Sequence, residues 1–252
     1  MNAITSILLP VYNSEETIDR CLSSIFNQII KVDEIIIVND GSTDLTENKI
    51  MCWKEKLPIK YFKNKKNMGI PYTLRKAINS SSGKLLFRID ADDEWRNIHI
   101  KEIMNLYKKN NAAIYTSKSQ YYKEDLTPIY TSKDLSDSSI RENLMWDNPM
   151  VHSSIAFKKS IYFLTNGYGN DKIAQDYHLI IELLDKGKLA FTNKITVNYF
   201  VNKSSISRVN LISARRGRFI GQMKAILYFW KRHPLNAIKI IPILFFRILL
   251  RR

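Results

Sequence analysis

Glycine, proline and cysteine are all scarce in this chain, at eight, seven and two among 252 residues. So few chain breakers, beside 45% hydrophobic residues, exclude a low-complexity or disordered chain. They predict one that folds around a sizeable core. Two cysteines, Cys21 and Cys52, cannot build a disulfide framework and have no metal-ligand spacing, so a reducing compartment is expected. Cys21 falls in a helical apolar pattern and reads as a small core residue. No basic segment followed by a cleavable apolar stretch opens the chain, so export is not expected. No His, Cys or acid follows His152 at zinc-ligand spacing. A dinucleotide fingerprint, a phosphate loop and a nucleophile elbow around Ser153-Ser154 are missing too.

Acid is missing from one region only. Residues 1–185 carry 24 Lys/Arg and 24 Asp/Glu, whereas residues 186–252 carry 15 Lys/Arg and no acid. The net charge of +15 therefore belongs to the last quarter, which predicts anionic partners. No nucleic-acid module is evident, so nucleic acid is not expected among them. Residues 210–231 read as a long basic helix. Residues 234–250 are very apolar but too short, and too interrupted by Lys239, Pro242 and Arg247, to span a bilayer. Together they predict a basic amphipathic helical anchor lying in the plane of an anionic leaflet, with Lys231, Arg232, Phe245, Phe246 and Arg247 at the membrane. The alternative is a C-terminal helix that covers the core or a dimer partner.

What is present is alternation. Apolar strands at 6–11, 34–38, 59–62 and 84–89 are separated by helical patterns beginning near Ser14, at Ser42 or Thr43, and at Tyr72. This predicts an α/β fold with a mostly parallel sheet and flanking helices. Ligands of such sheets bind at the carboxyl ends of the strands. A further strand is expected at 112–116, a polar hairpin and short helix within 118–150, a helix at 176–186 stopped by Gly187, and a strand at 195–201. Asp90-Ala91-Asp92-Asp93 closes the fourth strand. Three carboxylates crowded there repel one another unless a cation lies between them, and a hard divalent ion is the simplest candidate.

Ser6-Ile-Leu-Leu-Pro-Val-Tyr-Asn13, Val38-Asn-Asp-Gly-Ser-Thr-Asp44, Asn67-Met-Gly69 and Arg88-Ile-Asp-Ala-Asp-Asp93 occur in order. Asn148-Pro-Met-Val-His-Ser-Ser154, Gly167-Tyr168 and Gln175-Asp-Tyr177 follow. Together these motifs resemble the family 2 glycosyltransferases, inverting enzymes of the GT-A (Rossmann-like) fold. The resemblance covers residues 4–207. It implies a catalytic domain over 1–207, with a nucleotide-sugar half at 1–110 and an acceptor half at 111–207, and leaves 208–252 as the membrane-associating region.

The resemblance also assigns roles. Mn2+ or Mg2+ would be held by Asp92, Asp90 and Asp93, with Asp92 in direct contact and Asp90 reaching the ribose or a metal-bound water. Pro10 and Tyr12 would wall the base, Asp40 would accept from base or ribose, and Asn67 and Gly69 would lie near the nucleotide. Arg88 would pair with a carboxylate or a phosphate. Asp176 stands in the place of the catalytic base, and a helix dipole there would favour its ionised form. His152, Ser153 and Gln175 would line the acceptor side; Gln175 replaces a Glu that relatives often carry. Phe200 and Asn202 stand where relatives often have Arg and His, so Lys203 or Arg208 would have to supply that diphosphate contact. Arg75 stands where many have Asn. The implied activity moves a hexose from a UDP-sugar, UDP-Gal or UDP-Glc, to a lipid-diphosphate-linked saccharide. The setting is the cytoplasmic face of the inner (plasma) membrane, in capsule or O-antigen synthesis. A nucleotidyltransferase and a non-catalytic membrane scaffold are the rivals.

Overall fold

The computed structural model describes residues 5–134, 136–169, 174–201, 211–229 and 238. Four parallel strands, β1 (Thr5–Val11), β2 (Glu34–Asn39), β3 (Ile59–Lys63) and β4 (Leu85–Arg88), lie in the order β3-β2-β1-β4. Helices α1 (Ile18–Phe26), α2 (Thr46–Trp53) and α3 (Ile70–Ser80) connect them. β1 and β2 are apolar almost throughout because both faces are covered. Ile7, Leu9, Ile35 and Ile37 point into one core with α1, while Leu8, Ile36 and Val38 point into the other with α3.

Two helix starts differ from expectation in detail. The backbone carbonyl of Ser14, not its side chain, accepts the first helical bond of α1 from Ile18. At α2 the acceptor for the Thr46 N–H is Asp44 Oδ1 at 3.1 Å, not Ser42 or Thr43.

Beyond β4 the sheet becomes mixed. After β5 (Glu94–Trp95) and α4 (His99–Lys109) come β6 (Ile114–Lys123), β7 (Pro128–Thr131), α5 (Asp137–Leu144), a 3-10 turn (His152–Ser154), β8 (Ala156–Lys158), α6 (Lys159–Tyr162), α7 (Gln175–Lys186) and β9 (Leu189–Val201). β8 is antiparallel to both β4 and β6, whereas β9 runs parallel to β6 and antiparallel to β5. Register shifts between Ser117 and Ser119 break the β6–β9 ladder. Irregularities of this kind bend a strand. Past them the strand pairs with β7, and β9 continues to the acid loop.

A final helix, α8 (Leu211–Phe229), corrects the boundary expected after residue 207. Ala225, Ile226 and Phe229 are buried in the same core as Leu179 and Ile180 of α7. Lys224 pairs with Glu182, which is only 3% exposed. This part of the basic segment is therefore domain core. Its outer face is apolar, with Ile220, Met223 and Leu227 exposed beside Arg216 and Arg218. The membrane contacts expected at Lys231, Arg232, Phe245, Phe246 and Arg247, and the phosphate contacts at Lys203 or Arg208, lie outside the described residues. Among the described residues no helix is long and apolar enough to cross a membrane.

Candidate active site

Parallel strands β1, β2 and β4 end at one edge of the sheet, so Tyr12, Asp40 and Asp90 emerge together. At β4 the acid cluster is pinned from several sides. The Asp90 N–H donates to Ser153 Oγ at 3.0 Å, and the Trp95 indole N–H donates to the Ser153 carbonyl at 2.7 Å. Arg88 is 1% exposed and pairs with Asp90, so its expected partner is a carboxylate. Burial by itself would raise Asp90, but the Arg88 charge and hydrogen bond hold it below the usual carboxylate range.

Of the three carboxylates expected to hold a metal, Asp93 is taken up by protein contacts. Asp93 is fully buried; its Oδ1 accepts from the Phe200 N–H at 3.2 Å and its Oδ2 from the Ser153 hydroxyl. Burial and the charges of Asp92 and Asp90 push it well above an ordinary carboxyl. Asp93 thus pegs the acid loop to β9 and to the 3-10 turn. Ser153, expected on the acceptor wall, is the other half of that peg and is itself fully buried.

Asp92 is left half-buried at the rim. Burial and the Asp90 charge push it up to about 6, against the weaker pull of Arg88 and Arg20. A nearby cation would relieve such a group. Among the described residues no three His, Cys, Asp or Glu side chains form a metal cage. The arrangement fits an ion held by one carboxylate and completed by substrate phosphates, as Mg2+ often is.

At the nucleotide end, Tyr12 is 46% exposed beside buried Pro10. Asp40 Oδ1 accepts from Asn64 Nδ2 at 2.7 Å and the Met68 N–H at 2.9 Å, and Oδ2 accepts from the Gly69 N–H at 2.8 Å. Its first task is therefore to hold the 64–69 loop. A carboxylate has about four acceptor positions, which leaves one for a ligand. Two glycines make this close fit. A Cβ on Gly41 would lie 2.8 Å from the Lys66 carbonyl carbon. Gly69 caps α3 at φ 90°, ψ 158°, a region that essentially only glycine occupies. Asn67 is exposed, with its Oδ1 3.1 Å from the Gly69 N–H.

On the acceptor side Gln175 and Asp176 open α7, both half-buried. Asn148 Nδ2 donates to Asp176 Oδ2 at 3.0 Å, which leaves Oδ1 free of that bond. Burial raises the Asp176 carboxyl, and the Asp90 charge adds to it. Burial thus outweighs the first-turn dipole that the sequence suggested would keep the group readily ionised. His152 is 9% exposed with Nε2 2.8 Å from the Tyr168 hydroxyl, and burial lowers it to about 3. It is a neutral wall residue beside Arg88 and Asp90, not an acid.

Sequence reasoning missed Arg20 and Asn148 as site residues. Arg20 Nη2 donates to the Asp92 carbonyl at 2.6 Å, and its guanidinium lies 3.7 Å over the Phe200 ring. No local pattern links positions 72 residues apart. Phe200, which replaces an expected Arg, thus gives Arg20 a platform. Asn148 was part of a recognised motif, but only the fold sets it against Asp176. Arg75, the other departure, donates from α3 to the carbonyls of Tyr168 and Gly169.

This geometry agrees with what known proteins resemble. The crystal structure of S. aureus TarS 1-349 in complex with UDP-GlcNAc superposes with TM-score 0.72 at 16% identity, over 90% of this chain and 66% of that one. It shares the GT-A fold. An uncharacterized glycosyltransferase of Haemophilus influenzae is 30% identical over 226 residues, 82% of this chain and 68% of that protein. The UDP-Gal:alpha-D-GlcNAc-diphosphoundecaprenol beta-1,3-galactosyltransferase of Escherichia coli is 29% identical, over 72% of this chain and 68% of its own length. A Pasteurella multocida chondroitin synthase is 28% identical over 86% of this chain but only 22% of its own length. The model of glycosyl transferase family 2 matches residues 6–168. That span holds the strand-end acids and the nucleotide loop in the order the fold requires, and the chain belongs to that family.

Proposed function

We propose that this glycosyltransferase is inverting and metal-dependent, moving a hexose from a UDP-sugar to a lipid-diphosphate-linked saccharide in capsule or O-antigen assembly. The observation that carries this reading is the pair of acids at the rim. Asp92 is raised to about 6 beside a strand-end cluster, and Asp176 lies within the field of the same cluster. Asp176 Oδ1 would take the acceptor hydroxyl proton. The acceptor oxygen would bond to the anomeric carbon as the bond to the diphosphate oxygen breaks on the opposite face. Tyr12, Pro10, Asp40, Asn67 and Gly69 would hold the nucleotide, with Asp90 toward the ribose. Mn2+ or Mg2+ bound at Asp92 would neutralise charge on the leaving diphosphate. The names of the E. coli and TarS relatives support a uridine donor, and the former supports a lipid-linked acceptor.

The test is release of nucleoside diphosphate from a panel of nucleotide sugars with membrane lipid extract. We expect release from one uridine donor, abolished by EDTA and by Asp92→Ala while the melting curve is kept. Equal turnover by Asp92→Ala would remove its metal role, whereas no release from any donor by the folded wild-type chain would favour a scaffold.

Peripheral attachment to the inner face of the plasma membrane is part of the proposal. It rests on the basic last quarter and on the apolar outer face of α8 at Ile220, Met223 and Leu227. Co-sedimentation with anionic liposomes that weakens as salt rises is the expected result. A folded chain that ignores such liposomes at physiological salt would refute the attachment and leave the catalytic reading intact.

A further inference from the structure

Three tyrosines at the rim have no part in the chemistry above. Past the irregularity in β6, strands β7, β6 and β9 lie side by side, and the register sets Tyr121 opposite both Tyr130 and Tyr199. Side chains at paired positions share a face. The Tyr121 and Tyr130 rings stack at 4.3 Å with planes 18° apart, and Tyr199 meets Tyr121 edge-on at 5.0 Å. None of the three belongs to either core, and Tyr130 is 55% exposed. Exposed aromatic clusters of this kind are usual at binding surfaces.

Their position says what they face. The residue after Tyr199 donates its N–H to Asp93, so β9 runs against the acid loop. After burial, Asp93, Asp90 and Asp92 raise the Tyr199 phenol, and Tyr130, ahead of Asp93 and Asp147, raises that of Tyr121. Tyr199 therefore stands beside the acid loop, and the stacked Tyr121 and Tyr130 extend from it along the same face of the sheet.

We propose that Tyr121, Tyr130 and Tyr199 form an aromatic subsite for the acceptor saccharide, with a pyranose ring lying C–H face down on Tyr130. A pyranose has an apolar C–H patch ringed by hydroxyls. The patch suits the electron-rich face of a tyrosine, and the hydroxyls suit the phenols. Tyrosine also offers a large rigid surface at low entropic cost. A carboxylate at the rim disfavours an acyl chain in the same place. This subsite rests on the glycosyltransferase reading and names the part of the acceptor that it grips.

The test uses the whole chain with 13C-labelled tyrosine rings, with UDP and Mn2+ present. Methyl glycosides of glucose, galactose, N-acetylglucosamine and N-acetylgalactosamine are titrated in turn. At least one should shift the ring signal that disappears in Tyr130→Leu. Its dissociation constant, read in the variants from the remaining Tyr121 and Tyr199 rings, should rise about tenfold in Tyr130→Leu and stay within about twofold in Tyr130→Phe. The proposal is overturned if no glycoside moves that signal, if the Leu variant binds as well as wild type, or if anionic vesicles move it and glycosides do not. UDP affinity, measured on the same samples, should be equal in all three proteins. UDP binding without a glycoside response sinks the subsite alone, whereas glycoside binding without UDP binding sinks the donor reading and supports the subsite.

Discussion

Asp176 occupies the first turn of α7, where a helix dipole favours a carboxylate, yet burial raises its pKa. The consequence has a sign. A carboxyl whose folded pKa lies above its unfolded value loses stability as pH rises through that interval. At neutral pH the charged group therefore costs stability, which is the usual balance at a catalytic residue. Asp176→Asn should abolish transfer, leave UDP affinity unchanged and leave Tm equal or higher; a fall in Tm with full turnover would make Asp176 only a cap. In wild type the acid limb of kcat/KM should lie above the ordinary carboxylate range, because the base must be ionised. His152 cannot supply that limb, since burial holds it neutral down to about pH 3.

The 64–69 loop and α3 behave as one element hung from Asp40. Three hydrogen bonds from the loop reach this one carboxylate, and Gly69 lets the chain turn into the helix at positive φ. Gly69→Ala adds a methyl that meets nothing nearer than Pro71 Cδ at 3.9 Å. Its cost is therefore one of backbone strain, about 1–3 kcal/mol. The variant should melt several degrees lower and bind UDP more weakly, as calorimetry would measure. Gly169→Ala, whose added methyl meets nothing within 4 Å, is the neutral control. β9 is an element of another kind. Its first half pairs low on β6, and its second half carries Phe200 to Asp93 and to Arg20.

Across the whole molecule, the end of the sheet opposite the site is tied by Glu34. This residue is 3% exposed and accepts from Ser6 Oγ at 2.5 Å, Lys60 Nζ at 2.6 Å and the Ser82 N–H and hydroxyl. It thereby joins β1, β2, β3 and the turn before β4. Burial opposes ionisation, but Lys60, Ser6 and Ser82 together lower Glu34 from 4.5 to about 2. Its contribution is therefore present above pH 4.5 and lost as pH falls toward 2. Lys60 is half exposed, so solvent screening trims the effect to roughly 2 kcal/mol. Glu34→Gln should lower the urea midpoint at pH 7, with the gap from wild type narrowing as the buffer is taken below pH 4.5. A constant gap would mean the loss is one of packing, not charge.

The apolar runs and their spacing were enough to place the first four strands and their parallel direction, most plainly at β1 and β2, where both sheet faces are buried and the strand is apolar almost throughout. The ordered motifs identified the family and put Asp40, Asp90 to Asp93 and Asp176 at strand and helix ends. Charge bookkeeping along the chain located the basic last quarter. Residue type alone could not say which carboxylate faces outward; only the resemblance singled out Asp92. Asp90, Asp92 and Asp93 are chemically alike, and only contacts with Arg88, Ser153 and Phe200, each from its own strand or turn, separate them. The same holds for Ser153, which the family resemblance put on the acceptor wall and the fold buried. It holds also for α8, whose positive charge suggested a free anchor although Ala225, Ile226 and Phe229 close the core. Sequence determined what each segment can form; tertiary structure decided which partners meet, because the deciding contacts join residues far apart in the chain.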